Sequence, residues 1–184
     1  MSALASPSQL RASFIRWSLF LVPGITLLGF LGGTVGGGAK SPWFMSLVKP
    51  ALFPPPATFG IVWGILYVVM AFALVLVVTA RGADGRTAAI VAFMIQLALN
   101  LAWTPLFFGA HQITGALILL AAIDLAVLLT VVLFWRVRPI AGAMLLPYLA
   151  WVCFATLLNW QFLEANPNAD GRQVSGAVTT VEFE

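Results

Sequence analysis

The residues of this chain that could do chemistry are mostly aromatic, and they fall into three stripes. Gln96, Asn100, Trp103 and Phe107 recur at helical spacing and share one face of a single segment. Trp63, Tyr67, Met70 and Leu74 repeat the pattern in an earlier segment, and Tyr148, Trp151, Ala155 and Leu158 in a later one. Aromatic walls with one or two amides or hydroxyls suit a hollow that holds a flat hydrophobic molecule and orients it through sparse polar anchors. The same stripes would also serve as interhelical glue, since Asn and Gln bond between membrane helices for ~0.6 kcal/mol on average. Catalytic chemistry has little to stand on: there is no nucleophile–base pair, phosphate loop or metal-ligand spacing. The single cysteine, Cys153, excludes an intrachain disulfide, and the single histidine, His111, excludes a multi-histidine metal centre. Cys153 and the methionines read as core fillers, and His111 as a solvated turn residue.

The elements that carry the stripes follow from composition. The chain is 61% hydrophobic and 8% charged, with mean hydropathy +1.02, whereas soluble domains carry about 25% charged residues. A net charge of +3 without any basic run excludes a nucleic-acid partner. Charges punctuate the sequence between long apolar runs, and a bilayer core needs about 20 apolar residues per helix. The expected fold is therefore all-α, a polytopic bundle of five transmembrane helices over residues 17–38, 57–80, 87–110, 112–135 and 139–163. Residues 1–16 read as a polar N-terminal segment and residues 166–184 as a polar, poorly ordered tail. The runs are continuous rather than alternating, which favours helices over barrel strands. Pro105 and Pro147 predict kinks in the third and fifth spans. Residues 39–56, with Trp43, Phe44, Met45, Leu47 and Leu52, are too apolar for a solvated loop and are expected to cap the bundle mouth.

Arg11, Arg16, Arg81, Arg86, Arg136 and Arg138 fall on one side, against Lys40, Lys49 and Arg172 on the other. The positive-inside rule then puts the N-terminus in the cytoplasm and the first loop and C-terminus outside. The first apolar stretch is too long for a cleaved signal peptide. Trp17, Trp43, Trp135 and Trp160 lie near span ends and read as interfacial belt residues. Gly29, Gly33 and Gly37 form one small-residue ridge on span one, and Gly32 with Gly36 another, expected to let helices pack closely within the bundle. Asp124 lies at mid-membrane, where an ionised carboxylate costs several kcal/mol unless paired. It is expected to be hydrogen-bonded to a neighbouring helix.

Three motifs resemble the tryptophan-rich sensory protein/translocator protein family, also called the peripheral benzodiazepine receptor family. They are Lys49-Pro50 with Pro54-Pro55, Phe59, Trp63, Leu66, Tyr67 and Met70; Gln96-Leu97-Ala98-Leu99-Asn100 with Trp103, Pro105 and Phe107-Phe108-Gly109; and Pro147-Tyr148-Leu149-Ala150-Trp151 with Ala155, Leu158 and Asn159. The resemblance covers residues 43–166 and departs at Leu52 and Ala57, where similar proteins place tryptophans in the capping loop. A cholesterol-recognition pattern also fails, with Trp160 where a tyrosine is wanted. The resemblance implies a homodimer that binds porphyrins such as haem or protoporphyrin IX, needs no cofactor, and has no metal or catalytic group. Light-dependent porphyrin breakdown by Trp63, Trp103 and Trp151, and porphyrin or lipid transport, are the alternatives. It adds Phe59 and Asn159 to the pocket residues, and Trp43 as a loop residue able to reach the ligand. Ligand carboxylates would be held near the mouth by Lys40, Lys49 or backbone donors.

Overall fold

The computed structural model describes residues 6–172, with the surroundings of residues 35–37 left out; Gly36 and Gly37 of the ridges fall there. Helix α1 (Pro7–Thr34) tightens into a 3₁₀ helix (Val35–Lys40), and a short helix α2 (Pro42–Ser46) follows. Then come α3 (Pro56–Thr79), α4 (Arg86–Thr104) extended by a π-helical turn (Pro105–Gly109), α5 (Ile113–Val137), α6 (Pro139–Met144) and α7 (Leu146–Ala165). Five stretches, Pro7–Lys40, Pro56–Thr79, Arg86–Gly109, Ile113–Val137 and Pro139–Ala165, are long and apolar enough to cross a membrane. The protein is a multi-pass integral membrane protein, all-α among the described residues.

Local chemistry sets the helix ends. α1 starts at Pro7, well ahead of residue 17, because Ser6 and Gln9 form a reciprocal capping box. Gln9 N–H donates to Ser6 Oγ at 3.3 Å, and Ser6 N–H to Gln9 Oε1 at 2.9 Å. The residues expected to be a polar lead-in are thus the first turns of the helix. At α2, Ser41 Oγ accepts from Phe44 N–H at 3.2 Å and Pro42 occupies the first turn, where a missing N–H costs nothing.

The two prolines expected to kink their spans act differently. Pro105 cannot donate to the preceding turn, and the chain widens there: Ala110 N–H reaches back five residues to Pro105 O at 2.9 Å. Pro147 lies in the first turn of α7, so span five is not one kinked helix but two, broken at Leu145. α5 and α6 meet in a tight hairpin, where a Cβ on Gly142 would lie 2.8 Å from the Trp135 backbone.

The crossings close into a ring: α1 packs on α3, α3 on α6 and α7, α7 on α5, α5 on α4, and α4 back on α1. Burial is uneven along the bundle axis. Met70, Ala73, Leu74, Val77, Phe93 and Phe134 fill one half solidly, with Phe93 and Phe134 stacked at 5.7 Å. Leu19, Phe20, Leu27, Ile118 and Leu125 point outward, as a lipid-facing surface requires. Trp135 and Trp160 also face outward, whereas Trp17 packs against the core. The other half, toward the capping loop, is hollow.

Candidate ligand cavity

The hollow half contains a cavity of about 450 Å³, within the ~300–1,000 Å³ typical of small-molecule sites. α3 contributes Phe59, Trp63 and Tyr67; α4 and its π turn contribute Asn100, Trp103 and Phe107; α7 contributes Trp151, Ala155 and Asn159. The three stripes therefore converge. Trp103 stacks on Phe107 at 5.0 Å, Trp63 lies 5.5 Å from Tyr67, and Phe59 meets Trp151 edge-on at 6.0 Å. The widened turn at Pro105 is what brings Phe107 and Phe108 round to the wall beside Trp103.

Three expected pocket residues lie elsewhere. Gln96 and Tyr148 are behind the wall, where Tyr148 Oη donates to Gln96 Oε1 at 2.8 Å with both side chains almost fully buried. This pair is glue between α4 and α7. Trp43 is also absent from the wall and is not an interfacial residue, being only 2% exposed. It stacks on His111 at 4.6 Å, meets Phe107 edge-on, and donates its indole N–H to Ala169 O at 3.2 Å. His111 is correspondingly a half-buried packing partner with positive φ, not a solvated turn residue.

Other walls went unread in the sequence. Phe44 and Phe53 of the capping loop form a roof, α1 supplies Thr26, Gly29, Phe30 and Gly33, and α5 supplies Leu120 and Ile123. The α1 signal was present in its glycine ridge: a Cβ on Gly29 would fall inside the Tyr67 ring, and one on Gly32 would touch Leu101 at 3.0 Å. Gly29 and Gly32 pack within the bundle, as expected, whereas Gly33 of the same ridge is exposed and packs on no described residue. Leu52 and Ala57, the two departures from the family pattern, are exposed and lie outside the wall.

The cavity is lined without a charged side chain. Lys49 is not a ligand anchor: its ammonium donates to Phe44 O at 2.5 Å and Leu47 O at 2.7 Å, and lies 4.5 Å over the Phe44 ring. Burial pushes its pKa below the ordinary value, and it serves to close the C-terminal end of α2. Lys40 is exposed beside Ala39, which borders the mouth. Polar character inside comes from neutral groups. Tyr67 Oη donates to Asn100 Oδ1 at 2.8 Å, and Asn159 Nδ2 to Ile113 O at 2.9 Å. The indole N–H groups of Trp103 and Trp151, Asn159 Oδ1 and Thr26 Oγ1 are buried without a partner. Unpaired buried polar atoms cost about 1–3 kcal/mol each, and all four belong to residues that line the cavity.

A strap holds the roof. The chain after α7, expected to be poorly ordered from Asn166, folds back as far as residue 172; residues 173–184 lie outside the described residues. Asn166 clasps Val48, accepting from its N–H at 2.8 Å and donating to its carbonyl at 2.9 Å. Asp170 accepts from the Thr114 N–H at 3.1 Å and from the Ile113 N–H and Thr114 hydroxyl, at the positive end of α5.

Outside the cavity, Asp124 accepts from Thr156 Oγ1 of α7 at 2.7 Å, the interhelical bond expected of it. Cys153 is exposed on the outer face, not a core filler, and of the methionines Met70 is buried while Met45 and Met94 are exposed.

Fold and cavity together define a five-crossing helical membrane protein with an aromatic cavity among its helices. Residues 20–164 match the TspO/MBR family, and the chain belongs to that family. The translocator protein of Homo sapiens is 40% identical over 143 residues, covering 74% of this chain and 85% of the relative. Tryptophan-rich protein TspO of Chlorobaculum tepidum is 38% identical over 152 residues, covering 82% and 96% respectively. Protein CrtK of Rhodobacter capsulatus is 36% identical over 141 residues, covering 76% and 86%.

Proposed function

We propose that the protein is a membrane receptor or binding protein for porphyrins and related flat hydrophobic ligands, acting in tetrapyrrole homeostasis or stress signalling. The observation that carries this reading is the cavity itself. Its walls are aromatic, and residues that line it carry two indole N–H donors and an amide oxygen that lack partners. Such a site rewards a large apolar ring system bearing a few hydrogen-bonding atoms. Ligand carboxylates would project toward the mouth and Lys40, since the interior offers them no cation. Family membership supports the ligand class, and the names translocator and sensory protein borne by relatives are consistent with uptake and signalling roles. The active form is proposed to be a homodimer in the bilayer.

The test is a tryptophan-quenching titration of purified protein with haem and protoporphyrin IX, repeated on Trp151→Phe and Asn100→Ala. Trp151→Phe removes one unpartnered donor, and Asn100→Ala releases Tyr67 from its only hydrogen bond across to α4. Each is expected to weaken binding about tenfold, the worth of ~1.4 kcal/mol. Unchanged affinity in both variants would remove the cavity from the function. A second reading, light-dependent porphyrin breakdown, has one observation in its favour: Trp63, Trp103 and Trp151 all line the cavity. Illumination with protoporphyrin IX should then bleach the Soret band faster than in the triple Trp→Phe variant.

A further inference from the structure

The cavity walls differ in what lies behind them. On the α5 and α7 sides, Leu120, Ile123, Val152 and Leu158 are buried and close it off. On the seam between α1 and α3 the lining residues are themselves open: Phe30 is 69% exposed, and Gly33, Gly60 and Gly64 are all exposed. The glycines record how the seam splays. At Gly29 the helices are pinched, because the Tyr67 ring occupies the place a Cβ would take. One turn further along α1, and on the facing turns of α3, a Cβ on Gly33, Gly60 or Gly64 would meet nothing within 4 Å.

The seam is thus a V, closed at Gly29–Tyr67 and opening toward the capped end. Among the described residues nothing packs on the glycines at its open part, so they do not serve close packing there. A side chain at any of the three would project into the gap. Both helices belong to crossings, so this gap opens onto the acyl chains and not onto water. The roof, by contrast, is fastened by Lys49, Asn166 and the Trp43–Ala169 bond.

We infer that the gap framed by Gly33, Gly60 and Gly64 is a lateral portal, through which ligands dissolved in the bilayer reach the cavity without the roof opening. This rests on the ligand-binding reading above. It assigns the ligand a class by its route: molecules that partition into the membrane, reaching the site from lipid and not from water.

The experiment uses the full chain in lipid nanodiscs, with protoporphyrin IX as probe and tryptophan quenching followed by stopped flow. Gly60→Leu and, on the opposite helix, Gly33→Leu fill the gap with a side chain that the surroundings have room to accept. Two variants guard against one failing to fold, and thermal melts confirm that each is folded. The expected result is that association and dissociation rates both fall about tenfold or more. Wild-type association should scale with the mole fraction of porphyrin in the bilayer. The paired variant Asn166→Ala/Asp170→Ala, which unfastens the roof, should leave both rates unchanged. Unaltered rates in the leucine variants, or a loss of affinity through faster dissociation alone, would overturn the portal and leave the glycines as wall. Faster association on unfastening the roof would place the route there instead. A wild-type protein that shows no quenching fails at the earlier step, the ligand-binding reading, and the portal falls with it.

Discussion

Asn100 and Gln96 lie one turn apart on the same helix face, yet Asn100 borders the cavity and Gln96 bonds behind it to Tyr148. Periodicity reports that a side chain points into the bundle, and it cannot say whether a hollow or a neighbour waits there. The distinction is testable. Tyr148→Phe leaves Gln96 Oε1 buried without a donor, so a loss of about 1–3 kcal/mol in stability is expected, with porphyrin affinity retained. A Tyr148→Phe protein of wild-type stability and lowered affinity would return Tyr148 to the ligand wall. Gly29 offers a second contrast. Gly29→Ala must displace the Tyr67 ring, and overpacking of this kind costs about 1–3 kcal/mol. Gly24→Ala in the same helix has open space around it and should gain up to ~1 kcal/mol from helix propensity. Thermal melts in detergent that rank the two alike would refute the pinch at Tyr67.

At the scale of elements, the helices were legible because charges and prolines punctuate them, while their ends depended on finer chemistry. The capping box at Ser6 and Gln9 is a sequence pattern, and overlooking it hid the first turns of α1. The C-terminal strap is a different case. Its composition, Asn-Pro-Asn-Ala-Asp-Gly-Arg, is that of a flexible tail. What orders it is a set of partners more than fifty residues away, the Val48 peptide and the first turn of α5, and no local pattern announces them. Because the strap's bonds are few and mostly exposed, the roof belongs to the less stable part of the molecule. Asn166→Ala removes both bonds to Val48, and Asp170→Ala uncovers the orphan N–H groups of α5 at a cost of about 0.5–2 kcal/mol. Hydrogen exchange should speed up about tenfold at residues 42–49 in the first variant and at residues 113–116 in the second, with α3 unaffected. Equal protection in wild type and both variants would mean the strap merely rests on a roof that stands alone.

At the scale of the whole molecule, the cavity is confined to the end of the bundle that carries the roof, and the opposite end is solid around Met70, Phe93 and Phe134. The site is therefore one-sided, and which face of the membrane it serves follows from chain orientation. Arg81 and Arg86 lie in the α3–α4 turn and Arg136 and Arg138 at the α5–α6 turn, at the solid end with the start of α1. Lys40 and Lys49 lie at the roofed end, as does Arg172 of the strap. Retention of positive charge in the cytoplasm is counted over short loops such as these, so the solid end should face the cytoplasm and the roof the opposite compartment. Cysteine labelling decides it. In a Cys153→Ser background, Ser41→Cys near the roof should react with a membrane-impermeant maleimide added to intact cells. Asp84→Cys, in the α3–α4 turn, should react only after permeabilisation. The reverse order would put the roof in the cytoplasm, and the leaflet supplying ligand to the α1–α3 seam would change with it. Equal labelling of both positions in intact cells would mean that the chain inserts in two orientations, and the charge difference between its ends would then be too small to fix its sidedness.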